Sequence, residues 1–460
     1  MNVASVVGCE LSGLVSSPTT DHRQLTTDSN GQVSMTILGP TGVPPKRYLD
    51  AASDVADDFR PLEPATEPRA PSLRIVHLGK YFHPAHGGIE RVVRSLAHAQ
   101  ARIGCSARVI CMDHERGRAT RVEQDGPVEV VRLRRAASFC KIDHCPDLPK
   151  ALRDSGADLL HLHTPNPSMI LGLMLSGVRT PLVVSHYSDV VKQRLRRVLF
   201  SPIERACYDR ARLVLSVSPP YIAGSALLRR YPDRVAVLPI GLELAPFLAP
   251  APEVREHGDH LKRSYPGPLW FFCGRLVYYK GLETALLALR FVPGTLLIAG
   301  DGPARTHLER LAARLDLKGR VRFLGKIPRD EDLAAYYLAA DAFWFPSNAR
   351  SEAYGLVQVE AMASGSPVIN AAIPHSGVPW VSRHEETGLT VPVDDPAAFA
   401  AAARRLLEEP GLRNRLAAGA RARAISEFQC DAMGRRSLAL YSTTLAAARQ
   451  DSSPEGSINT

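Results

Sequence analysis

Apolar residues recur along this chain in two alternating patterns. Short continuous apolar runs, such as residues 107–111 and 269–273, alternate with longer stretches in which apolar positions recur every three or four residues. The short runs are typical of strands buried in a parallel sheet, and the longer stretches are typical of helices. The alternation therefore predicts an α/β protein built on doubly wound parallel sheets. The predicted strands are 73–78, 107–111, 128–133, 159–162, 182–185, 213–216, 235–238, 269–273, 295–299, 321–325 and 342–346.

The alternation occurs twice, which predicts two Rossmann-like domains. The break between them, at residues 246–268, is rich in proline and charge and is interpreted as a linker or hinge. Two such domains leave a cleft between them, and clefts between domains are preferred ligand sites. The predicted divisions are a disordered tail at 1–71, a first domain at 72–250, a second domain at 251–428, a helix at 429–450 that packs back on the first domain, and a disordered tail at 451–460.

Two glutamates, Glu352 and Glu360, follow the predicted strand 342–346. The apolar positions 356, 357, 359, 361 and 362 predict a helix that starts at residues 355–357, so Glu352 lies in the strand-end loop and Glu360 about two turns into the helix. Ligands of open α/β sheets bind at such strand ends, and the free backbone N–H groups of a helix start can hold an anion. On spacing alone, however, a favourable first-turn acid and a solvated helix residue are the simpler interpretation.

Two more strand-end loops carry residues suited to an anionic ligand. Gly87 and Gly88 precede the first predicted helix, where adjacent glycines allow the backbone to approach a bulky anion. Arg275 and Lys280 flank the loop after strand 269–273, where a guanidinium and an ammonium can bind phosphate oxygens. The structural alternatives are a tight turn for the glycines and ordinary surface charges for the two cations.

Histidines follow two of the predicted strands. His186 comes after strand 182–185 and could contact a sugar or a leaving phosphate, although a single histidine is more often structural. His161 and His163 alternate along a strand and therefore share a face. Packing or lining of the cleft is favoured for them over a metal site, because no third ligand is evident.

The basic segment 192–212 suggests contact with an anionic surface. Lysine and arginine dominate it and apolar residues interleave, so it predicts either a surface for anionic lipid head groups or a solvated helix face, with equal weight. The formal net charge of +9 also favours an anionic partner. Nucleic acid is less favoured, because aromatic residues are sparse there and no binding module is visible.

Composition bounds the remaining classes. The chain is 45% hydrophobic and 22% charged, which is typical of a globular protein. Its eight cysteines are scattered without a Cys-x-x-Cys pair, so neither a disulfide framework nor a zinc site is indicated, and a reducing cytoplasm is expected. No apolar run is long enough to span a bilayer.

Together these motifs resemble the retaining glycosyltransferases of the GT-B fold, specifically glycosyltransferase family 4 (group 1). The resemblance covers residues 73–448 and is most specific at 351–363, which look like the Glu-x7-Glu motif of that family. Gly87-Gly88, Gly274-Arg275-Leu276 with Lys280-Gly281, and Thr387-Gly388-Leu389 also match in order and spacing. Within the family, the chain is most similar to bacterial GDP-mannose-dependent α-mannosyltransferases of polysaccharide biosynthesis.

The resemblance implies a role for each matching residue. Glu352 would hold donor-sugar hydroxyls, Glu360 the nucleotide ribose, and His186 would lie near the transferring sugar. Arg275 and Lys280 would neutralise the leaving diphosphate, and no metal or other cofactor is expected. The implied catalytic residues are Glu352, His186, Arg275 and Lys280, and the implied nucleotide-sugar-binding residues are Gly87, Gly88, Arg275, Lys280, Glu352, Gly355, Leu356, Val357 and Glu360.

We therefore expect a hexosyltransferase, mannosyl as first choice, that uses a nucleotide-diphosphate sugar and a lipid-linked or glycan acceptor. It would act in cell-surface polysaccharide biosynthesis, in the cytoplasm, with peripheral membrane contact through 192–212. One alternative is a GT-B-fold sugar-nucleotide epimerase, which would lack the Glu-x7-Glu stretch with this Arg/Lys loop. The other is a non-catalytic polysaccharide-assembly protein, which would be expected to have lost Glu352, Arg275 or Lys280.

Overall fold

Eighteen strands are assigned in the described part of the chain. The computed structural model describes residues 73–85, 87–139, 142–189 and 194–450, together with two strands near the N-terminus. The strands are β1 (Arg23–Thr27), β2 (Val33–Ile37), β3 (Arg74–Leu78), β4 (Ser106–Met112), β5 (Arg121–Asp125), β6 (Val128–Leu133), β7 (Ala137–Phe139), β8 (Ile142–His144), β9 (Leu159–Thr164), β10 (Leu182–His186), β11 (Leu213–Ser216), β12 (Val235–Val237), β13 (Leu269–Cys273), β14 (Thr295–Ala299), β15 (Val321–Gly325), β16 (Ala342–Phe345), β17 (Val368–Ala371) and β18 (Gly388–Val391).

Helices connect most of these strands. None of the described helices combines the length and the apolar character needed to cross a bilayer. The helices are α1 (Gly88–Arg102), α2 (Leu148–Arg153), α3 (Pro167–Leu175), α4 (Arg194–Arg210), α5 (Pro219–Gly224), α6 (Ala245–Leu248), α7 (Pro252–Ser264), α8 (Leu282–Leu289), α9 (Arg305–Arg314), α10 (Asp330–Ala339), α11 (Leu356–Ala363), α12 (Val378–Val381), α13 (Pro396–Glu408), α14 (Leu412–Glu427) and α15 (Cys430–Gln450).

The N-terminal strands β1 and β2 pair antiparallel, with Arg23 opposite Ile37. They lie inside segment 1–71, for which disorder was predicted, so the prediction needs correction for these two strands. The Asn30-Gly31 turn signal and the β-branched residues around it favour a hairpin, which an argument from composition overlooks. The rest of that segment and residues 451–460 lie outside the described residues, and disorder stays a prediction for them.

The first large sheet has the strand order β12-β11-β10-β9-β3-β4-β6-β5. Its strands run parallel except for β5, which pairs antiparallel with β6 at the edge. The second sheet is wholly parallel, with the order β15-β14-β13-β16-β17-β18. These are the two doubly wound parallel sheets predicted from the apolar pattern. Strands β5, β7, β8, β17 and β18 were not predicted, because short runs such as Val368–Ala371 follow a turn and lack a clear period.

The core of the second domain is built from the buried faces of its strands. Trp270 on β13 stacks on Trp344 of β16 with ring centroids 5.2 Å apart, and the edge of Phe399 from α13 packs on Trp344. All three side chains are almost fully buried. Full burial of one large apolar side chain contributes about 1.5–3 kcal/mol, so this layer fixes β13 beside β16.

Each sheet reverses its strand order at its central strand. β3 pairs with β4 on one side and β9 on the other, and β13 likewise pairs with β14 and β16. The loops that leave β13 and β16 therefore diverge, and a crevice opens between them at the carboxyl ends of the strands. Residues 274–281 and 346–355, which contain the predicted cationic loop and the first glutamate, form these two loops.

The predicted linker 246–268 is wrong in one respect, because most of it forms helix α7. Pro252 stands in its first turn, where a missing N–H costs nothing. The helix packs against α10 so closely that a Cβ at Gly258 would lie 3.2 Å from the carbonyl oxygen of Ala335. Leu261 is buried on the same helix, so charge and proline content concealed an amphipathic face.

The last helix, α15, returns to the first domain. It packs on α1, where the amide of Gln100 donates to the hydroxyl of Ser437 over 2.8 Å. The chain reaches this position because the Leu242 N–H donates to the carbonyl of Phe428 over 2.8 Å, and the Cys430 N–H donates back to Leu242. The end of the chain is therefore held by backbone and side-chain bonds to the first domain.

Candidate active site

The crevice of the second sheet contains a buried ion pair. The Lys280 ammonium lies 2.5 Å from a carboxylate oxygen of Glu352, and both side chains are only about a tenth exposed. The hydroxyl of Ser347 donates to the same carboxylate over 3.2 Å, and the ammonium also lies 4.9 Å from the centre of the Phe345 ring. The fold thus brings together two residues that the sequence analysis placed on separate loops.

A glycine allows this approach of the two loops. Gly281, directly after Lys280, adopts a left-handed conformation with φ of 63°. A Cβ there would lie 1.9 Å from the carbonyl oxygen of Pro346, which is backbone and cannot move aside cheaply. The 3₁₀ turn Tyr278–Lys280 is consequently seated directly against the end of β16.

Arg275 lies at the mouth of the crevice. It is exposed and forms no ion pair with any residue that the structure describes. It lines a cavity of about 570 Å³ with residues from both domains. The lining residues from the first domain are Ser188 and Asp189, and those from the second are Arg275, Val277, Tyr278, Tyr279, Pro303, Ala304 and Ser351. The cavity is therefore a cleft between the domains with an uncommitted guanidinium on one wall.

Helix α11 begins beside this cleft without a side-chain cap from any described residue. Its N-cap is Gly355, with φ of 78°, and a Cβ there would lie 2.7 Å from the Phe345 ring. The backbone N–H groups at the helix start, at Leu356 and Val357, are therefore available to an anion, and anion binding there stays a prediction. From the first domain, Gly88 lies against Leu356, since a Cβ on it would be 3.6 Å from Leu356 Cδ1.

The second glutamate, Glu360, is almost completely buried. The Arg91 guanidinium of α1 forms an ion pair with its Oε1, and the Tyr337 hydroxyl donates to its Oε2 over 3.0 Å. Burial raises the pKa of this carboxyl group, and Arg91 opposes that shift. The sequence predicted neither partner, because both contacts join distant segments and Arg91 belongs to the other domain.

His186 is also buried and does not line the cavity. Its Nδ1 lies 2.7 Å from the Tyr208 hydroxyl, and its Nε2 lies 3.2 Å from a carboxylate oxygen of Asp189. The residues of this loop that line the cavity are Ser188 and Asp189. The strand end directs the His186 imidazole toward Tyr208 of the neighbouring helix, and a role for His186 near the transferring sugar stays a prediction.

Asp189 connects the two domains. Its second carboxylate oxygen lies 2.7 Å from the guanidinium of Arg350, which also lies over the Tyr221 ring at 4.4 Å. The Ser225 hydroxyl donates to the first oxygen over 2.9 Å. Burial alone would favour the neutral acid, but the contacts with His186 and Arg350 lower the pKa of Asp189 well below its usual range. Asp189 is thus a charged cleft residue that the sequence analysis did not assign.

Three buried histidines lie behind the cleft. His77 of β3 joins His161 and His163, and their ring nitrogens lie within 4.8 Å of one another. The sequence analysis found no third histidine, because the pairing of β3 with β9 places His77 opposite His161 only in the folded sheet.

Hydrogen bonds account for every ring nitrogen of this cluster. The amide oxygen of Gln100 is only an acceptor, so His77 donates to it from Nε2 over 2.8 Å and accepts from His163 Nε2 over 3.0 Å. His163 Nδ1 then accepts from Tyr187 over 2.9 Å. The remaining partners are Tyr441, 2.7 Å from His161 Nδ1, and Ser185, 2.7 Å from His161 Nε2.

This assignment describes a neutral network. Burial lowers the pKa of His77 to about 4 and lowers those of His161 and His163 further below their usual value. All three rings are therefore uncharged near neutral pH, and the network joins the first sheet to α1 and α15. Its ring nitrogens are all engaged in hydrogen bonds, which favours a structural role, although His77 supplies the third histidine that the sequence did not reveal.

Two Rossmann-like domains that share a cleft, with a lysine–glutamate pair at the strand-order reversal of the second, define the class of GT-B glycosyltransferases. Sequence-family models agree: residues 87–241 match the glycosyl transferase 4-like domain, and residues 259–423 match glycosyl transferases group 1. The chain belongs to this family of group 1 glycosyltransferases, and the predicted family and GT-B fold are confirmed.

Three similar proteins cover most of the chain. The D-rhamnosyltransferase WbpZ of Pseudomonas aeruginosa is 33% identical over 76% of this chain and 91% of its own length. The O-antigen chain mannosyltransferase C of Escherichia coli is 28% identical over 81% of this chain and 99% of its own. The solved sucrose-phosphate synthase of Thermosynechococcus elongatus is 26% identical, with a TM-score of 0.67, over 82% of this chain and all of that one.

Proposed function

We propose that this glycosyltransferase moves a hexosyl group, mannosyl as first choice, from a nucleotide-diphosphate sugar to a lipid-linked or glycan acceptor, with retention of the anomeric configuration. The observation that carries the proposal is the Lys280–Glu352 pair together with Arg275, which forms no ion pair with a described residue and lines the cleft. A sugar diphosphate requires both kinds of group, because its phosphates attract cations and its hydroxyls donate to a carboxylate.

The reaction would begin at the bond between the anomeric carbon and the diphosphate oxygen. As this bond breaks, negative charge develops on the diphosphate, and Lys280, Arg275 and the backbone N–H groups at the start of α11 would stabilise it. The acceptor hydroxyl oxygen would bond to the anomeric carbon on the same face, and its proton would pass to the leaving phosphate oxygen. No carboxylate needs to act as a nucleophile in this scheme.

Glu352 would orient the donor sugar rather than attack it. Its carboxylate is held by Lys280 and Ser347 yet lies beside the cavity residue Ser351, so its remaining lone pairs can accept sugar hydroxyls. Glu360 would bind the ribose, and Gly87 and Gly88 would approach the diphosphate from the first domain. His186 would act through Asp189, whose carboxylate it contacts.

Metal independence forms part of the proposal. The two cations and the helix N-terminus would supply the positive charge that a divalent ion supplies in other transferases. We therefore expect turnover to be unchanged by excess EDTA.

The acceptor and location are inferred from the relatives. One is named for D-rhamnosyl transfer and the other for O-antigen chain mannosyl transfer, which supports a role in cell-surface polysaccharide biosynthesis. A location on the cytoplasmic side is our proposal. Segment 192–212 remains our proposal for peripheral membrane contact. Lys192 lies outside the described residues, whereas Arg205 is exposed and Arg210 donates to the carbonyl of Thr180 over 3.1 Å.

The proposal is tested by incubating the purified protein with labelled GDP-mannose or UDP-glucose and a membrane lipid extract, with and without EDTA. We expect label in the lipid fraction from one donor in both conditions. A rearranged sugar nucleotide formed without acceptor would instead indicate an epimerase. Absence of any donor binding and turnover would indicate a non-catalytic assembly protein.

A further inference from the structure

The proposed ribose-binding residue is occupied by another side chain. Glu360 has both carboxylate oxygens engaged, one by Arg91 and one by Tyr337, and its side chain is 2% exposed. Arg91 is 31% exposed and reaches the carboxylate from the other domain. A ribose could therefore reach Glu360 Oε1 only by taking the place of the guanidinium.

The ion pair has a physical reason in the burial of Glu360. An unpaired carboxylate this deeply buried would be costly, because its lost hydration is not replaced. Arg91 supplies the missing charge, and its other terminal nitrogen donates to Asp330 over 2.9 Å. The guanidinium thus bridges Glu360 on α11 and Asp330 at the start of α10.

The same residue is tied to the glycine loop of the first domain. The N–H of Arg91 donates to the carbonyl of Gly87 over 3.1 Å, which is the first i to i−4 bond of α1. Gly88 lies against Leu356 at the start of α11. The Arg91–Glu360 pair therefore lies close to the loop that faces the proposed diphosphate site.

We propose that Arg91 is a stand-in for the ribose of the donor: it pairs with Glu360 across the domains when the site is empty and is displaced by the ribose diol. This inference rests on the proposed function, because it takes Glu360 as the ribose-binding residue. Donor binding then exchanges an interdomain ion pair for ribose hydrogen bonds, so Arg91 competes with the ribose for Glu360 and does not affect ligands that lack a ribose.

Direct binding of the nucleotide by Arg91 predicts the opposite change in nucleotide affinity. If Arg91 bound the nucleotide directly, its removal would weaken nucleotide binding. If it only stands in for the ribose, its removal abolishes a competitor, and the nucleotide binds more tightly. The sign of one change in dissociation constant separates the two.

The experiment measures the binding of GDP, UDP and pyrophosphate to the wild type, Arg91→Ala and Arg94→Ala by titration calorimetry. Arg94 is the matched control, because it lies on the same helix but pairs with Asp125 of its own domain over 2.7 Å. Whichever of GDP and UDP binds the wild type should bind Arg91→Ala about 5- to 150-fold more tightly, which is the typical range of coupling between sites. The dissociation constant of pyrophosphate, which lacks the ribose, should differ by less than about twofold between Arg91→Ala and the wild type. The dissociation constant of the nucleotide should likewise differ by less than about twofold between Arg94→Ala and the wild type.

A 2′,3′-dideoxy form of the bound nucleotide should show no gain in Arg91→Ala. Arg91→Lys keeps a charge but not the forked guanidinium, so its nucleotide affinity should lie between those of the wild type and Arg91→Ala. This variant replaces Arg91→Ala if Arg91→Ala does not fold. Equal or weaker nucleotide binding by the Arg91 variants would overturn the inference while leaving the proposed function intact. Failure of the wild type and all variants to bind either nucleotide would overturn both.

Discussion

Replacement of Lys280 by methionine tests the buried ion pair at the centre of the site. Methionine keeps most of the apolar stem beside Phe345 and removes the charge that faces Glu352. At the 2.5 Å separation of the pair, Coulomb's law with an effective dielectric of about 20 gives an attraction of roughly 7 kcal/mol. Desolvation of two ions offsets most of it, so the pair itself contributes little net stability.

The single substitution is costlier than that balance suggests. It leaves Glu352 buried without its cation, which typically destabilises a protein by about 3–5 kcal/mol. Because both side chains retain about a tenth of their exposure, we take about 3 kcal/mol, the lower end of that range. This corresponds to a fall in melting temperature of about 6–12 °C for a domain of this size.

A double-mutant cycle isolates the pair. In a Glu352→Gln background Lys280 is itself the unpaired buried charge and Lys280→Met removes it, so the second substitution should cost less than about 1 kcal/mol and the coupling should be at least about 2 kcal/mol. Arg305→Met, which removes an exposed ion pair with Glu309, should cost less than about 1 kcal/mol. Thermal melts of the four cycle members and this control measure the effect. Additive losses, or a Lys280→Met melt equal to that of Arg305→Met, would refute the reasoning.

Two further predictions concern pH and backbone conformation. His77 has a pKa of about 4 in the folded protein and about 6.5 unfolded, so the unfolded state binds more protons between these values and stability falls as pH drops from 6.5 toward 4. Between pH 7.5 and 5, the free energy of unfolding of His77→Gln, measured by urea titration, should fall by about 2 kcal/mol less than that of the wild type. His307→Gln changes an exposed histidine and should follow the wild type. Equal pH dependence of His77→Gln and the wild type would contradict this. Gly355→Ala combines a left-handed backbone with a collision at the Phe345 ring and should destabilise the protein by about 3 kcal/mol. Its control, Gly411→Ala, has a similar φ of 77° but no described atom within 4 Å of the new Cβ, so it should cost about 1 kcal/mol. Equal melting temperatures of the two variants would exclude the collision.

The fold followed closely from the apolar pattern. Strands such as Leu269–Cys273 are continuous apolar runs of the right length, and their order alternates with periodic helices. Helix α7 was mistaken for a linker because proline and charged residues dominate its sequence, although Leu261 is buried. Composition describes the exposed face of such a helix better than its buried one.

The site could be predicted only as far as individual loops carry a signal. Lys280 and Glu352 each stand at the end of a strand, so their meeting follows from sheet order. The partners Arg91, His77 and Arg350 could not be predicted, because each depends on strand register or on the approach of two domains. The burial of His186 likewise depends on its contact with Tyr208, which no local pattern encodes.

The central claim is that Glu352 orients a donor sugar at this cleft. The most direct test is the turnover number of Glu352→Gln, with the donor that labels lipid, measured at a temperature at which melting curves show both the variant and the wild type to be folded. We predict a fall of at least about 100-fold, the scale of one transition-state contact. Wild-type turnover by the folded variant would contradict it.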